Sequence, residues 1–141
     1  MTKIQYPFPY ELPVQWGDMD ALGHINNVMY IRYFETSRIA FFNESAIWQE
    51  LEKEGLYIIL AKIDCNYKIP IVFPDTITVQ SGIVSIGNSS ITVHQQVISH
   101  KYGLAAEGNA VVVCIDKNLH KTTAIPAHIR SLIEEKYLPL A

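Results

Sequence analysis

The sequence predicts an α+β fold in which an antiparallel sheet wraps around one long helix. Residues 28–45 contain no Gly or Pro and carry apolar side chains around most of the helical circumference. A helix with so wide an apolar surface is normally covered by something larger than a second helix. The rest of the chain supplies that cover in segments rich in Val, Ile and Thr, which is the composition of strands. A chain of 141 residues has the length of about one domain, so we expect a single domain over residues 1–141.

The predicted elements alternate with turn residues along the chain. A short strand follows a proline-spaced lead, and a turn-rich stretch then leads into the long helix. Gly, Pro and Asn separate the later strands, so the last three should form a meander. Pro126 begins the last helix, because a helix tolerates proline in its first turn. The predicted strands are 11–16, 56–67, 76–86, 90–100 and 104–116, and the predicted helices are 28–45 and 126–137.

Charge and hydropathy exclude two classes of function. The formal net charge of −3 and the sequence pI near 5.9 provide no cationic field for a phosphate backbone, so we expect no nucleic-acid binding. No apolar run approaches the roughly 18 residues of a spanning helix, and prolines interrupt any export signal near the amino terminus, so we expect no membrane association. Cys65 and Cys114 lie inside apolar runs, which suits reduced thiols in a cytoplasmic protein.

Polar residues are concentrated in residues 16–27, immediately before the long helix. Carboxylates, an imidazole and two amides lie there beside free backbone N–H groups and the positive end of the helix dipole, where an oxyanion can bind. A capping loop explains the same residues, with an Asp closing an Asx-turn and Asn26 or Asn27 as N-cap. A calcium loop does not fit, because Met29 stands where that pattern needs a bidentate acid.

Other catalytic arrangements are missing from the sequence. It has no Gly-x-Ser-x-Gly motif for a serine hydrolase and no Gly-rich phosphate loop. The five histidines show no metal-ligand spacing and neither cysteine belongs to a Cys-x-x-Cys pair, so we expect no metal. Asp18 and Asp20 are two residues apart on one short turn, which is a weak indication of a glycosidase carboxylate pair.

The run from Trp16 to Tyr30, followed by Tyr33-Phe34-Glu35 and Arg38, resembles the signature of hotdog-fold acyl-CoA thioesterases, specifically the 4-hydroxybenzoyl-CoA thioesterase-like family. The similarity extends over nearly the whole chain, to Tyr67-Lys-Ile-Pro70, Asp75, Gly87-Asn-Ser-Ser90 and the segment from Lys121 to Pro126. The resemblance implies the hotdog fold, a curved antiparallel sheet wrapped around a long helix. That fold agrees with the order of elements predicted from the residues.

The resemblance also implies roles for individual residues. Asp20 matches the catalytic carboxylate, and Asn27 matches the residue whose backbone N–H at the helix start polarises the thioester carbonyl. Thioester hydrolysis develops negative charge on that oxygen, which such an amide stabilises. A carboxylate can activate water or attack the carbonyl directly. The implied substrate-binding residues are His24, Asn26, Tyr30, Ser89 and Ser90, the last two together with Lys121 at the nucleotide end of coenzyme A.

The implied activity is hydrolysis of an acyl-CoA or acyl-carrier-protein thioester to the free acid, with no cofactor besides the coenzyme A of the substrate. In the family the active site lies at a subunit interface. Hydrophobic residues make up 49% of the chain, which leaves apolar surface to share, so we expect a homodimer or homotetramer. Two alternatives remain: a non-catalytic protein that binds acyl-CoA or an acyl carrier, and a hotdog enoyl-CoA hydratase, whose Asp-to-His spacing this chain does not match.

Overall fold

The computed structural model describes residues 2–141 and confirms the predicted α+β architecture. Within that range an antiparallel sheet packs around α1, the long helix. The helices are α1 (Asn27–Glu44), α2 (Ile47–Lys53) and α3 (Ala127–Lys136). The strands are β1 (Tyr10–Pro13), β2 (Leu56–Ile63), β3 (Asn66–Tyr67), β4 (Thr76–Ile86), β5 (Ser90–Ser99), β6 (Gly103–Asp116) and β7 (Lys121–Thr122).

The strands are ordered β1-β4-β5-β6-β2 across the sheet, and each neighbouring pair is antiparallel. The short strands β3 and β7 both pair with β6. Strands β4, β5 and β6 form the predicted meander, and their side chains alternate between buried and more exposed positions over much of their length. This alternation is typical of an antiparallel sheet with one face on the core.

The two halves of α1 pack against opposite ends of the long strands. Tyr30, in the first turn, belongs to a buried cluster with Ile77 at the beginning of β4. Phe41, near the other end of the helix, belongs to a second cluster with Ile91 at the beginning of β5. The amino terminus of α1 therefore lies at the start of β4, and its carboxyl terminus lies beside the β4–β5 hairpin.

Buried polar side chains join α1 to the sheet. Gln95 on β5 donates from Nε2 to the Phe34 carbonyl (2.7 Å) and to Ser81 Oγ (2.8 Å). Its Oε1 accepts from Arg38 Nη1 at 3.1 Å, and Ser81 Oγ lies 2.8 Å from Ser37 Oγ. Because buried polar groups are costly unless they are paired, this network fixes the position of α1 along the strands.

The single strand predicted at 56–67 is divided into β2 and β3, although both pair with β6 in one register, Ile63 opposite Ala110 and Asn66 opposite Glu107. At the interruption, Asp64 N donates to the Asn109 carbonyl (3.0 Å), but Asn109 N donates to the Asp64 side chain at Oδ1 (3.0 Å). A Cβ at Gly108 would lie 2.0 Å from the Asp64 carbonyl oxygen, so only glycine permits this close approach of the two strands. β3 continues along β6, and its Tyr67 reaches the start of α1.

Two further differences concern short elements. β1 ends at Pro13 and not at Trp16, because Trp16 begins a 3-10 turn. The helix α2 was not expected from the sequence, and it begins after Ala46, which has a left-handed conformation with φ 66°. A seven-residue helix is not stable by its own propensity. Burial of Ile47 and Leu51 against the core holds it in place.

Within residues 2–141, none of the helices has both the length and the apolar composition needed to cross a membrane.

Cys65 and Cys114 are free thiols, as expected. Burial raises the pKa of both thiols, which keeps them protonated and weakly nucleophilic near neutral pH. The cytoplasmic location stays a prediction.

Candidate active site

The loop before α1 holds the Asp20 carboxylate in a tight turn. Asp20 Oδ1 accepts hydrogen bonds from the backbone N–H groups of Leu22 (2.9 Å) and His24 (3.4 Å). The turn is closed by Gly23 N donating to the Asp20 carbonyl at 3.1 Å, with Gly23 at φ 82°, a conformation that favours glycine. Asp20 Oδ2 has no hydrogen-bond partner within residues 2–141 and is free to act on another group.

Backbone bonds tie this loop to the rest of the molecule. Ile25 N donates to the Ile71 carbonyl at 2.8 Å, and Asn26 N donates to the Asp18 carbonyl at 2.9 Å. The side chain of Ile25 is buried in the core cluster that contains Tyr30. The carboxylate is therefore carried by a loop that is fixed on both sides, which a preorganised site requires.

The first turn of α1 leaves a backbone donor free beside this loop. Asn26 is the N-cap, and its side chain accepts from Val28 N at 3.0 Å. Asn27 is the first helical residue, and its N–H finds no acceptor in the described part of the chain. Free N–H groups at the start of a helix carry partial positive charge and bind anions. The Asn27 amide is thus a ready donor for an oxyanion.

Asp20 and Asn27 line the same cavity, whose volume is about 280 Å³. The ring of Tyr67 stands edge-on to that of Tyr30, with centroids 5.0 Å apart and an interplanar angle of 87°. Burial raises the pKa of Tyr30, against a lowering hydrogen bond with the Ile71 backbone, so its hydroxyl is neutral at neutral pH. The lining residues are Asp20, Ile25, Asn27, Tyr30, Tyr67, Lys68, Ile69 and Pro70.

A groove adjoins the cavity along the outer side of α1. Its volume is about 440 Å³, and it shares Asn27 and Tyr67 with the cavity. Met29 and Ile31 give it an apolar lining, and Arg32 and Glu35 add charge. The cavity and the groove therefore meet at Asn27 and Tyr67.

The predicted site residues separate into two groups. Asp20, Asn27 and Tyr30 are brought together at the cavity. Two other residues predicted to contact the substrate do not line the cavity. His24 is exposed, and the side chain of Asn26 forms the helix cap. The capping explanation of Asn26 is therefore the one that the structure supports.

Ser89 and Ser90 lie at the opposite end of α1 from Asp20 within one chain. They follow the carboxyl end of β4, whereas the cavity lies near its beginning, about 30 Å away along a strand of this length. Ser89 contributes its carbonyl to Cys114 N at 2.7 Å. Within one chain these serines therefore lie apart from Asp20, and their contact with the nucleotide end of coenzyme A stays a prediction.

A cation that the sequence did not indicate lies beside this hairpin. Arg130 on α3 donates from Nη2 to the carbonyls of Gly87 (2.7 Å) and Asn88 (3.2 Å). It lies 43 and 42 residues along the chain from these two, and no local pattern connects them. Lys121, the cation predicted there, lies in β7, which pairs with Ile115 and Asp116 at the carboxyl end of β6, and Ser90 pairs with Val113 near the same end.

Tyr67 and Lys68 also line the cavity, and the sequence indicated no role for either of them. The Tyr67 hydroxyl donates to the Asn27 carbonyl at 2.9 Å. Lys68 Nζ lies 3.5 Å from Glu107 Oε2, and His94 Nε2 lies 3.0 Å from Glu107 Oε1. Burial acts to raise the pKa of Glu107, but the Gln96 hydrogen bond and the charges of His94 and Lys68 outweigh it and lower that pKa. Lys68 is thus a cavity cation that already has a carboxylate partner.

No group of three or more His, Cys, Asp or Glu side chains within residues 2–141 is arranged to hold a metal ion. The absence of a metal and of a separate cofactor stays a prediction. The chemistry that the described residues offer at the cavity consists of one carboxylate, one free amide, two phenols and the ammonium group of Lys68, which is paired with Glu107.

Comparison with known proteins identifies the family. The model of the thioesterase-like superfamily matches residues 14–133. The long-chain acyl-CoA thioesterase FadM of Escherichia coli K12 is 24% identical over 126 residues, which cover 89% of this chain and 96% of FadM. The acyl-CoA thioester hydrolase YbgC of E. coli O6:H1 is 25% identical over 123 residues, which cover 86% of this chain and 92% of YbgC.

Solved structures agree with this result. A thioesterase from Thermus thermophilus, in complex with coenzyme A and Zn, superposes with a TM-score of 0.79 and 29% identity over 92% of this chain and 98% of that one. The predicted hotdog fold and the predicted thioester hydrolase class are confirmed by these similarities. The chain belongs to the thioesterase-like superfamily.

Proposed function

We propose that the protein hydrolyses acyl-CoA thioesters to a free carboxylic acid and coenzyme A, with Asp20 and the Asn27 backbone N–H as the reacting groups. The observation that carries the proposal is the meeting of a free carboxylate oxygen and a free helix N-terminal amide at one cavity. The named activities of FadM and YbgC and the coenzyme A bound by the Thermus thioesterase support the substrate class.

The amide acts on the thioester oxygen. When the carbonyl carbon is attacked, its oxygen gains negative charge, and the Asn27 N–H donates a hydrogen bond to it. The donor is already free and oriented, so the transition state gains the bond without reorganisation. The partial positive charge at the start of α1 adds to this stabilisation.

The carboxylate acts on the other side of the carbonyl carbon. Asp20 Oδ2 removes a proton from a water molecule whose oxygen forms the new C–O bond. The C–S bond then breaks, and the proton passes to the sulfur of coenzyme A. In the alternative route, an Asp20 oxygen attacks the carbonyl carbon, the C–S bond breaks and coenzyme A leaves as the thiolate. Water then hydrolyses the mixed anhydride to the free acid and the Asp20 carboxylate, and the thiolate takes up a proton released from that water. Both routes need the same position for Asp20.

The test is release of free thiol from a panel of short, long and aromatic acyl-CoAs, with an acyl-carrier-protein thioester beside them. We expect at least one acyl-CoA to be cleaved catalytically, and the panel then gives the acyl preference. Saturable binding of acyl-CoA without thiol release would instead indicate the non-catalytic binding protein. Hydration of an enoyl-CoA without hydrolysis would indicate the hydratase.

We further propose that the working unit is a two-fold dimer, the smaller of the predicted assemblies. The edge strand β2 leaves Ile59 and Leu60 over 40% exposed, and the outer side of α1 leaves Val28 and Ile39 exposed. An unpaired apolar edge of this kind is a liability unless another chain covers it. If two copies join at β2 with their helices antiparallel, the β4–β5 hairpin of one copy lies near the α1 amino terminus of the other.

This arrangement predicts complementation between two defective variants. Asp20→Asn removes the carboxylate, and Arg130→Ala weakens the hairpin that would hold the nucleotide end of coenzyme A. In a mixed dimer one of the two sites would combine an intact Asp20 with an intact hairpin. We therefore expect the mixture, assayed at low acyl-CoA after subunit exchange, to be several-fold more active than the average of the separate variants.

A mixture no more active than that average would show that the carboxylate and the hairpin act within one chain, or that the hairpin has no part in binding. Size-exclusion chromatography of the wild type, with light scattering, separates dimer from tetramer. Mixing Asp20→Asn with itself after the same exchange treatment is the matched control.

A further inference from the structure

Residues 66–71 contact both the loop that carries Asp20 and the helical turn that carries the Asn27 amide. At one end of this segment the Ile71 carbonyl accepts from Ile25 N (2.8 Å), in the loop that carries Asp20. At the other end the Tyr67 hydroxyl donates to the Asn27 carbonyl (2.9 Å), in the first turn of α1. One short segment therefore holds the carboxylate loop and the amide-bearing turn relative to each other.

The segment itself is anchored to the sheet. β3 pairs with β6 through Asn66 and Tyr67, and Lys68 N and Ile69 N both donate to the Ala105 carbonyl, at 2.8 Å and 3.1 Å. The Tyr67 ring packs edge-on against the buried Tyr30, with centroids 5.0 Å apart. The hydroxyl of Tyr67 thus has a defined position although the residue as a whole is 49% exposed.

The hydrogen bond from Tyr67 is made to the Asn27 carbonyl, which the helix cap does not use. The Asn26 side chain accepts from Val28 N, and the Asn26 carbonyl accepts from Met29 N at 2.9 Å. Those bonds belong to the helix, whereas the bond from Tyr67 comes from the sheet. It holds the peptide group that follows Asn27, and with it residue 27, relative to the sheet and not only relative to α1.

We propose that Tyr67 is a positioning residue for the oxyanion-binding amide, acting through its hydrogen bond to the Asn27 carbonyl. The inference rests on the proposed thioester hydrolysis. A small misalignment of a preorganised donor weakens it mainly in the transition state, because only there does the oxygen carry its full charge. Loss of the bond should therefore lower kcat and leave KM nearly unchanged.

The test is Tyr67→Phe, which removes the hydroxyl and keeps the ring against Tyr30. We expect kcat to fall about tenfold, the rate equivalent of one ordinary hydrogen bond. KM for the best acyl-CoA and the Kd for coenzyme A should change by less than about twofold. The matched control is Tyr102→Phe, a change at an exposed tyrosine in the β5–β6 turn, which should leave kcat and KM as in the wild type.

A second readout does not depend on turnover. The Val28 amide belongs to the peptide group whose carbonyl accepts from Tyr67, and the Asn27 amide belongs to the peptide group before it. Tyr67→Phe should move the NMR shifts of both amides, whereas Tyr102→Phe should leave them unchanged. A merely structural role would lower Tm and leave kcat, measured well below Tm, at the wild-type value, which would overturn the inference. Unchanged amide shifts would overturn it as well.

The two readouts separate the inference from the proposed function. A wild type that cleaves no thioester removes the proposed hydrolysis, and with it the role of Tyr67 in a reaction, whatever the amide shifts show. A wild type that cleaves thioesters together with a fully active Tyr67→Phe variant removes only the role of Tyr67.

Discussion

Replacement of Asp20 by Asn is expected to lower thiol release from acyl-CoA by about 10²- to 10⁴-fold, the usual contribution of a positioned acid or base. The amide can neither take a proton from water nor attack the thioester. The fold should survive, because the Asn Oδ1 can still accept from Leu22 N and His24 N as the carboxylate does. Thiol release at saturating substrate, with Tm recorded on the same samples, measures the effect.

Asp18→Asn is the matched control for this experiment. Asp18 lies two residues away on the same loop, but it does not line the cavity. Burial is the main cause of the raised pKa of Tyr33, and the charge of Asp18 adds to it. Asp18 therefore lies on the side of α1 that faces the core. We expect Asp18→Asn to keep kcat within a few-fold of the wild type. Equal losses in both variants would mean that the loop and not the Asp20 carboxylate is what the reaction needs.

The parts of the fold that the sequence predicts are those with local signals. The β4–β5–β6 meander follows from β-branched segments separated by turn residues, and α1 follows from an uninterrupted apolar helix pattern. The interruption of the strand at Asp64 does not, because it depends on the close approach of Gly108 across the sheet. The short helix α2 exists through burial of Ile47 and Leu51, which tertiary packing decides.

The same distinction holds for the site. Asp20 and Asn27 lie seven residues apart at a loop-to-helix junction, so a local pattern places them together. Tyr67 reaches the same junction from 40 residues along the chain, and only the pairing of β3 with β6 brings it there. Ser89 and Ser90 were assigned by resemblance alone. Resemblance matches positions along the chain and does not distinguish a contact within one subunit from a contact with a second copy.

Substitution of Asn27 by Pro is expected to remove the oxyanion donor with little damage to the helix. Proline is favoured at the first helical position, where its missing N–H has no partner within the helix. It also requires an extended residue before it, and Asn26 already has φ −58° and ψ 135°. The cap bond from Val28 N to Asn26 Oδ1 does not involve the lost N–H. We expect kcat to fall about 10²- to 10³-fold, as for loss of one oxyanion donor.

Asn27→Ala separates the backbone from the side chain at this position. It keeps the N–H and removes only the carboxamide, so its kcat should stay within a few-fold of the wild type. The difference in kcat between the Pro and Ala variants then measures the contribution of the backbone N–H at residue 27. Circular dichroism and Tm of the two variants should agree closely, since proline here replaces no bonded donor. A fully active, folded Asn27→Pro enzyme would show that the thioester oxygen is stabilised by some group other than this amide.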